Sequence, residues 1–232
     1  MAASPQAGKS PRDRFRAQVR DEVKQAALEQ LAHGGPQALS LNAIAKSLGL
    51  TGPALYRYFS SRDALLTELV VDAYTDLAGA LAAAVEAGPA EPLTALVRAY
   101  RAWAVAEPHR YRLLFRAPLP DYDPQSADLV EAAQPAMNIL ITVVSALATD
   151  GTAHDDPSAA DFARWAGQRG LTGVPAVAAR ESTLLWSELH GLAGLEIEQN
   201  FASMGIDPGP LYEAQAARAL RALRGTAERG AS

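Results

Sequence analysis

Apolar residues recur every three or four positions along most of this chain, which is the spacing of one buried face of an α-helix. The first series steps by four residues and ends at a His-Gly-Gly-Pro segment, and its members are Phe15, Val19, Val23, Ala27 and Leu31. A second long series begins at Leu65 and ends at Gly88-Pro89. We find no convincing strand pattern between these series. The chain is therefore predicted to be all-α.

The same periodicity predicts further helices in the rest of the chain. They cover Pro92–Glu107, His109–Phe115, residues 126–148, a segment around Phe162 and Trp165, Ala178–Phe201, and a last helix through Tyr212 and Leu223. Clusters of proline, glycine and polar residues predict loops at Pro118–Pro124, Asp150–Pro157 and Gly170–Pro175. The longest uncharged run, Ala132–Thr149, is short for a membrane span. We interpret it as a buried core helix.

The segment Ser40–Leu65 has the signals of a helix-turn-helix. Ser40 is a good N-cap residue, and the apolar positions that follow it have helical spacing. Gly49 stands where the first helix must stop, because a left-handed turn costs least for a residue without Cβ. Thr51 is predicted to cap a second helix of about two turns that ends at Phe59. A third helix then begins at a cap formed by one of the next two serines. In this motif the second helix enters the DNA major groove.

These residues resemble the DNA-binding domain of the TetR family of bacterial transcriptional regulators. The resemblance is carried by Gly49-Leu50-Thr51 and by the following run ALYRYFSSRDALL, and it covers about residues 13–85. An aromatic pair inside so short a helix, followed by a capped Arg-Asp-x-Leu-Leu, makes the match specific. The family commonly has a side chain and then glycine after the capping residue. This chain has Gly52 and then Pro53, which removes one candidate base-reading side chain.

The expected DNA contacts follow partly from spacing and partly from the resemblance. Spacing places Gly52, Pro53, Tyr56 and Arg57 on one face of the second helix. Arg57 can bind either a guanine edge or a phosphate, and the sequence leaves both open. The resemblance implies phosphate contacts at Ser40, Thr51, Tyr58 and Arg62, with Lys46 as a further candidate. For the tyrosines, ordinary packing at the edge of the domain is the alternative.

Charge divides the chain into two parts. The 232 residues carry a net charge of −5, but residues 1–70 hold nine basic and six acidic residues, a net of +3, and the rest carries −8. We expect a disordered tail over residues 1–12 and a helix-turn-helix domain over 13–62. A helical regulatory and dimerisation domain follows over 63–225, and a second tail over 226–232. The basic residues between Lys9 and Lys24 form either a DNA-contacting arm or a solvated helix face.

The helix Ala178–Phe201 is apolar over so wide an arc that it must be covered on two sides. In the TetR family two late helices usually pair with those of a second copy, and the two late helices of this chain are similar in position and pattern. The expected homodimer interface comprises Leu185, Leu189, Leu192, Tyr212, Ala216 and Leu220. The spacing Trp186…His190-Gly191 also resembles a motif in the C-terminal domain of one subgroup of the family.

The helical domain is also expected to bind a small apolar or aromatic ligand. The candidate lining residues are Tyr100, Trp103, Tyr111, Phe115, Met137, Trp165 and His190. Aromatic residues at helical spacing are equally well explained as plain core. Both interpretations of this set therefore stay open.

The sequence gives little support to an enzyme or a metal site. Its four histidines lack the spacing of a zinc site on any predicted helix, and no Gly-rich phosphate loop follows a strand. It has no cysteine for thiolate chemistry or disulfides. The first residues lack an apolar signal segment. We expect no catalytic residue, metal or cofactor, no membrane association and a cytoplasmic location.

Together these features predict a dimeric transcriptional regulator that binds a palindromic operator in double-stranded DNA. The resemblance implies repression that is relieved when a ligand favours a protomer spacing unsuited to successive major grooves. Two alternatives remain. One is a DNA-binding regulator or nucleoid-associated factor without a small-molecule ligand, and the other is an activator.

Overall fold

The computed structural model describes residues 10–115, 126–148 and 159–229, and every regular element in these ranges is helical. The all-α prediction is therefore confirmed for the described residues. Two predicted loops, Pro118–Pro124 and Asp150–Pro157, lie outside these ranges, as do residues 1–9 and 230–232 of the predicted tails. The chain divides into two compact units, one of residues 1–70 and 112–123 and the other of residues 71–111 and 124–232.

The first unit is built from the N-terminal helices. Its elements are α1 (Pro11–Gly34), a single 3₁₀ turn (Pro36–Ala38), α2 (Leu41–Ser47), α3 (Gly52–Tyr56) and the first turns of α4 (Arg62–Glu86). The 3₁₀ turn and α2 pack on α1, and α3 packs on α2. The buried side chains that α2, α3 and α4 contribute include Ile44, Leu55, Phe59, Leu65 and Leu69.

The predicted apolar face of α1 is confirmed at four of its five positions. Val19, Val23, Ala27 and Leu31 are buried, whereas Phe15 is 63% exposed. The periodicity is correct along the whole helix, but only the part of α1 that other helices cover can bury its face. The prediction that Phe15 belongs to the core is wrong for this reason.

The second unit surrounds one central helix. Its elements are the remainder of α4, α5 (Pro92–Ala106), α6 (Pro108–Phe115), α7 (Ala127–Leu147), α8 (Ala159–Gln168), α9 (Ala176–Ile197), α10 (Asn200–Met204) and α11 (Gly209–Arg229). Of α6, only the residues up to Tyr111 belong to this unit. Helix α9 packs against α5, α7, α8, α10 and α11. Because these neighbours belong to the same chain, α9 forms the core of the unit.

Helix α7 is the predicted core helix. Among the described residues it is the one helix long and apolar enough to cross a membrane by length and composition. It packs on α5 and α9 and buries Leu140, Ile141 and Val144. These contacts are those expected of a core helix in a helical protein.

Several predicted boundaries need correction. Helix α1 begins at Pro11 and α11 continues to Arg229, so the predicted tails 1–12 and 226–232 both include helical residues. Helix α9 ends at Ile197 rather than at residue 201, because Gln199 has a left-handed backbone with φ of 62°. The predicted domain boundary after residue 62 moves to residue 70, within α4.

Candidate nucleic-acid interface and helical unit

The turn between α2 and α3 is built as the sequence predicts. The Ser40 hydroxyl accepts a hydrogen bond from the Ala43 backbone N–H at 3.3 Å and so caps α2. The Ser40 N–H donates to the Gln30 side chain at 2.8 Å, which ties this cap to α1. Gly49 has φ of 67°, and the next N–H, of Leu50, bonds back to the Ala45 carbonyl at 2.8 Å. The Gly49 turn therefore satisfies the end of α2 and sets the start of α3.

Helix α3 is shorter than predicted and leaves one face open. It ends at Tyr56 rather than Phe59. Thr51 holds the N-cap position with extended backbone, but its side chain makes no cap hydrogen bond, so that part of the prediction is wrong. Tyr56 is 49% exposed, and Pro53 and Arg57 are exposed beside it. The Arg57 guanidinium forms no ion pair within the described residues.

Arg20 has a structural role that the sequence did not reveal. Its guanidinium donates to the Tyr58 carbonyl at 2.7 Å, forms an ion pair with Glu68 and lies 4.5 Å from the centre of the Phe59 ring. It thus connects α1 with α4 and with the residues that follow α3. Neither an arm nor a solvated face describes this residue, because all three contacts are made by residues distant in sequence.

The other predicted DNA-contacting residues lie on α2, α3 or close to them. Lys46 is exposed in the last turn of α2, and Tyr58 and Arg62 are partly buried after α3. Ser61, rather than Ser60, caps α4 by accepting the Ala64 N–H at 3.0 Å. All nine predicted positions therefore fall between residues 40 and 62 of the first unit.

In the second unit, four side chains on α5, α6 and α9 form an aromatic cluster, namely Tyr100, Tyr111, Trp186 and His190. The Tyr100 hydroxyl bonds to His190 Nδ1, and the Tyr111 hydroxyl donates to the His190 carbonyl at 2.8 Å. The Trp186 ring meets the His190 ring edge-on at 4.6 Å and the Tyr100 ring at 5.6 Å. Trp186 was missing from the predicted ligand set, although its position four residues before His190 places both on one helix face.

Burial fixes the protonation of this aromatic cluster. It lowers the pKa of His190 to about 4, so the imidazole is neutral at pH 7. Burial also raises the pKa of the Tyr100 hydroxyl above its usual value. The Tyr100 hydroxyl therefore donates to Nδ1 of a neutral imidazole. The cluster carries no charge at neutral pH.

The seven predicted ligand-lining residues do not form one set. Tyr100, Tyr111 and His190 come together in the aromatic cluster. The Trp103 indole instead donates to Asp76 at 2.9 Å. Met137 is buried on α7, and the Trp165 ring lies 5.0 Å from the Arg169 guanidinium. Phe115 belongs to the first unit.

The predicted homodimer interface stays a prediction, and the structure shows how its residues are placed within one copy. Four of its six residues are buried by the chain's own helices: Leu185, Leu189, Tyr212 and Ala216. Only Leu192 and Leu220 are partly exposed. The sequence identified the most apolar rows correctly, but α9 is the core helix and these rows face its own neighbours. A different row of α9 faces outwards, through Leu184, Ser187, Gly191 and Leu195.

Ion pairs fasten α9 to its neighbours. The Arg218 guanidinium on α11 bonds to Glu181 at 2.9 Å and to Glu188 at 2.7 Å, and the Glu181 side chain is almost fully buried. Arg101 on α5 donates to Glu196 at 2.7 Å and lies 5.2 Å from the Tyr212 ring centre. No group of three or more side chains that could ligate a metal is found among the described residues.

Comparison with known proteins finds a family model for each of the two units. A family model described as bacterial regulatory proteins, tetR family, matches residues 25–69, and one described as a tetracyclin repressor-like C-terminal domain matches residues 93–219. The HTH-type transcriptional regulator Mb1846 of Mycobacterium bovis is 34% identical over 211 residues, which cover 86% of this chain and 90% of that protein.

Solved structures agree with these matches. The structure of SCO4313, described as a regulatory protein, is 42% identical with a TM-score of 0.78 and covers 91% of this chain and 99% of its own. A tetR-family regulatory protein from Rhodococcus RHA1, at 19% identity and a TM-score of 0.58, covers 88% of this chain and 96% of its own and shares the fold. Family, fold and helix-turn-helix agree, and the chain is a DNA-binding transcriptional regulator that belongs to the TetR family.

Proposed function

We propose that this regulator is a homodimeric repressor that binds a palindromic operator and is released by a small-molecule ligand. The observation that carries the DNA-binding part is the exposed face of α3. Tyr56 and Arg57 lie there without competing ion pairs in the described structure, directly after the Gly49 turn. Such a protein acts where the chromosome is, in the bacterial cytoplasm.

Base reading and phosphate binding are divided among the residues around α3. Arg57 and Tyr56 reach base edges or the backbone, and Pro53 offers an apolar contact to a thymine methyl group. The Thr51 hydroxyl donates to a phosphate, because it is not engaged in capping. Ser40, Lys46, Gly52, Tyr58 and Arg62 complete the proposed contact surface.

The proposed second copy packs on the outward row of α9. Leu184 and Leu195 are 38% and 46% exposed, and Gly191 lies between them. A glycine inside a helix costs about 1 kcal/mol relative to alanine. No described residue outside its own helix turn and chain neighbours lies within 4 Å of where a Gly191 Cβ would be. A glycine at this position allows the backbone of a second helix to approach the row between Leu184 and Leu195 closely. Leu192, beside Gly191 on α9, and Leu220 on α11 are partly exposed and are included in the proposed interface.

The second unit supplies the ligand-responsive part of the proposal. Its aromatic residues offer apolar surface with a few hydrogen-bonding groups, the composition that small-molecule sites have. A ligand would shift the dimer between two arrangements by its differential affinity for them. A regulator without a ligand is the competing hypothesis, because the aromatic side chains of the cluster are equally well explained as packed core.

Selection of binding sites from random duplex DNA tests the DNA-binding part of this proposal, with the number of protomers per selected site counted. A palindromic consensus bound by one or two dimers is the expected result. Failure to enrich any sequence at low salt contradicts it. The selected duplex then becomes the probe for ligand release, and an activator is distinguished by transcription that rises when the protein is added.

A further inference from the structure

Arg169 is a partly buried cation without a carboxylate partner among the described residues. It follows the end of α8, where its Nε donates to the Asn138 side-chain oxygen on α7 at 3.3 Å. Its guanidinium lies over the Trp165 ring at 5.0 Å. Burial lowers the pKa of Arg169, and no described acidic group opposes this effect. The arginine therefore remains charged in a setting that does not neutralise it.

The other partly buried arginines of the second unit have carboxylate partners. Arg101 pairs with Glu196, Arg110 with Asp76 and Glu107, and Arg218 with Glu181 and Glu188. More exposed arginines also have partners, as Arg98 has Glu213 and Arg164 has Asp161. Acidic residues are therefore plentiful in this unit, and the described ones are not placed at Arg169. The favourable end of the α8 dipole and the Trp165 ring explain part of its stability, but no described residue offers an acceptor to the outer edge of the guanidinium.

We propose that Arg169, with Asn138 and Trp165, binds the carboxylate of an organic acid that is the ligand of this regulator. The inference rests on the proposed ligand response. Because Nε is already bonded to Asn138, the two terminal nitrogens present the fork that binds a carboxylate through two parallel hydrogen bonds. The Asn138 oxygen accepts from Arg169, so its amide nitrogen is free to donate to the same anion. Helices α7 and α8 each pack on α9, and Arg169 joins them at this point.

The test uses the full chain and a panel of benzoate, phenylacetate and octanoate, each with its methyl ester. Binding is measured by isothermal titration calorimetry and by the shift in melting temperature. We expect at least one acid to bind and its ester to bind more weakly. Arg169→Gln retains a donor for Asn138 but loses the charge, and should weaken acid binding by about 10- to 100-fold. Arg169→Lys keeps the charge and should lose less affinity for the acid than Arg169→Gln does.

Arg164→Gln is the matched control, because it removes an exposed arginine from α8, the helix that Arg169 follows. It should leave acid binding unchanged. Equal binding of acid and ester, unchanged acid binding in Arg169→Gln, or no binding by any acid overturns the proposal. Release of the selected operator is measured with the same compounds. An ester that releases DNA preserves the ligand-controlled regulator but not the carboxylate site. An acid that binds through Arg169 without affecting DNA preserves the site but not the release mechanism.

Discussion

Two arginines of the first unit show how placement decides the use of one chemical group. Arg20 has its guanidinium engaged by the Tyr58 carbonyl, Glu68 and the Phe59 ring. Arg57 is exposed and forms no ion pair within the described residues. The first therefore stabilises the helix-turn-helix, and the second is free to contact DNA.

Arg57→Ala should weaken operator binding because it removes the most accessible cation of the α3 face. If Arg57 reads a base, the loss is about 1–3 kcal/mol for the preferred base and discrimination at one operator position relaxes. If it binds a phosphate, all sequences lose affinity alike and the salt dependence falls. Competition binding to single-base variants of the operator distinguishes the two. Arg164→Ala, in the second unit, should bind DNA like the wild type, and full affinity in Arg57→Ala would exclude it from the interface.

His190 should make the second unit less stable in mild acid. Its pKa is about 4 in the folded chain and about 6.5 when unfolded, so protonation favours unfolding. The stabilisation is complete above pH 6.5 and is lost as the pH falls towards 4, by about 3 kcal/mol in total. Chemical denaturation at pH 7.5, 6, 5 and 4.5 measures this loss.

The control for this pH dependence is a histidine that is not buried. His190→Gln should flatten the pH dependence between 6.5 and 4, whereas His33→Gln, at an exposed position on α1, should keep it. Equal slopes for the wild type and His190→Gln would show that other groups cause the acid sensitivity.

At the scale of elements, α9 depends on charged contacts as well as on apolar packing. Glu181 lies almost fully buried on α9 and is held by Arg218 of α11 and by Arg180. A buried carboxylate that loses a partner keeps its desolvation cost. The attachment of α11 to α9 is therefore sensitive to Arg218 in particular.

Arg218→Met should lower the free energy of unfolding by about 3 kcal/mol, because Glu181 stays buried with one partner fewer. Adding Glu181→Met should recover most of this loss, since two apolar side chains can replace a buried ion pair. Arg98→Met breaks the exposed pair with Glu213 and should lower the free energy of unfolding much less than Arg218→Met does. Urea denaturation of the four proteins checks the series, and similar losses for Arg98→Met and Arg218→Met would refute the argument.

The positions of the helices were predicted well from the sequence, but the contacts that each helix makes with its neighbours were predicted less well. Gly49 and Ser40 mark their turn and cap because each acts through its own backbone or its next neighbours. Phe15 was misplaced, and the cover that its own chain gives Leu189 was not foreseen, because periodicity shows which face is apolar but not which neighbour covers it. Arg20 and Arg169 were missed as interacting residues because their contacts with α4 and α7 join positions distant in sequence.

At the scale of the whole molecule, the outward row of α9 is the surface through which we propose that two copies associate. Gly191 and Gly79 are both exposed glycines inside helices, and within the described ranges no neighbouring atom crowds the Cβ position of either one. They therefore form a matched pair, in which Gly191 lies in the proposed interface and Gly79 lies outside it.

Gly191→Glu should split the dimer, while Gly79→Glu should leave it intact. A charge buried opposite its symmetry mate costs several kcal/mol, whereas glutamate on an exposed helix face costs nothing and favours the helix. Light scattering gives the mass of each variant, and circular dichroism checks that both stay helical. A dimer mass for Gly191→Glu would move the interface away from this row.

The pairing of Arg20 with Glu68 also affects how the protein responds to ionic strength. A cation that binds a phosphate releases condensed counterions, and each such contact steepens the loss of affinity with rising salt by about 0.9 logarithmic units per tenfold change. Arg20 is already neutralised inside its own fold, so it adds nothing to this release. In the proposed dimer, this holds for the Arg20 of each copy. Operator binding should therefore persist to higher salt than a count of the basic residues in the first 70 positions suggests.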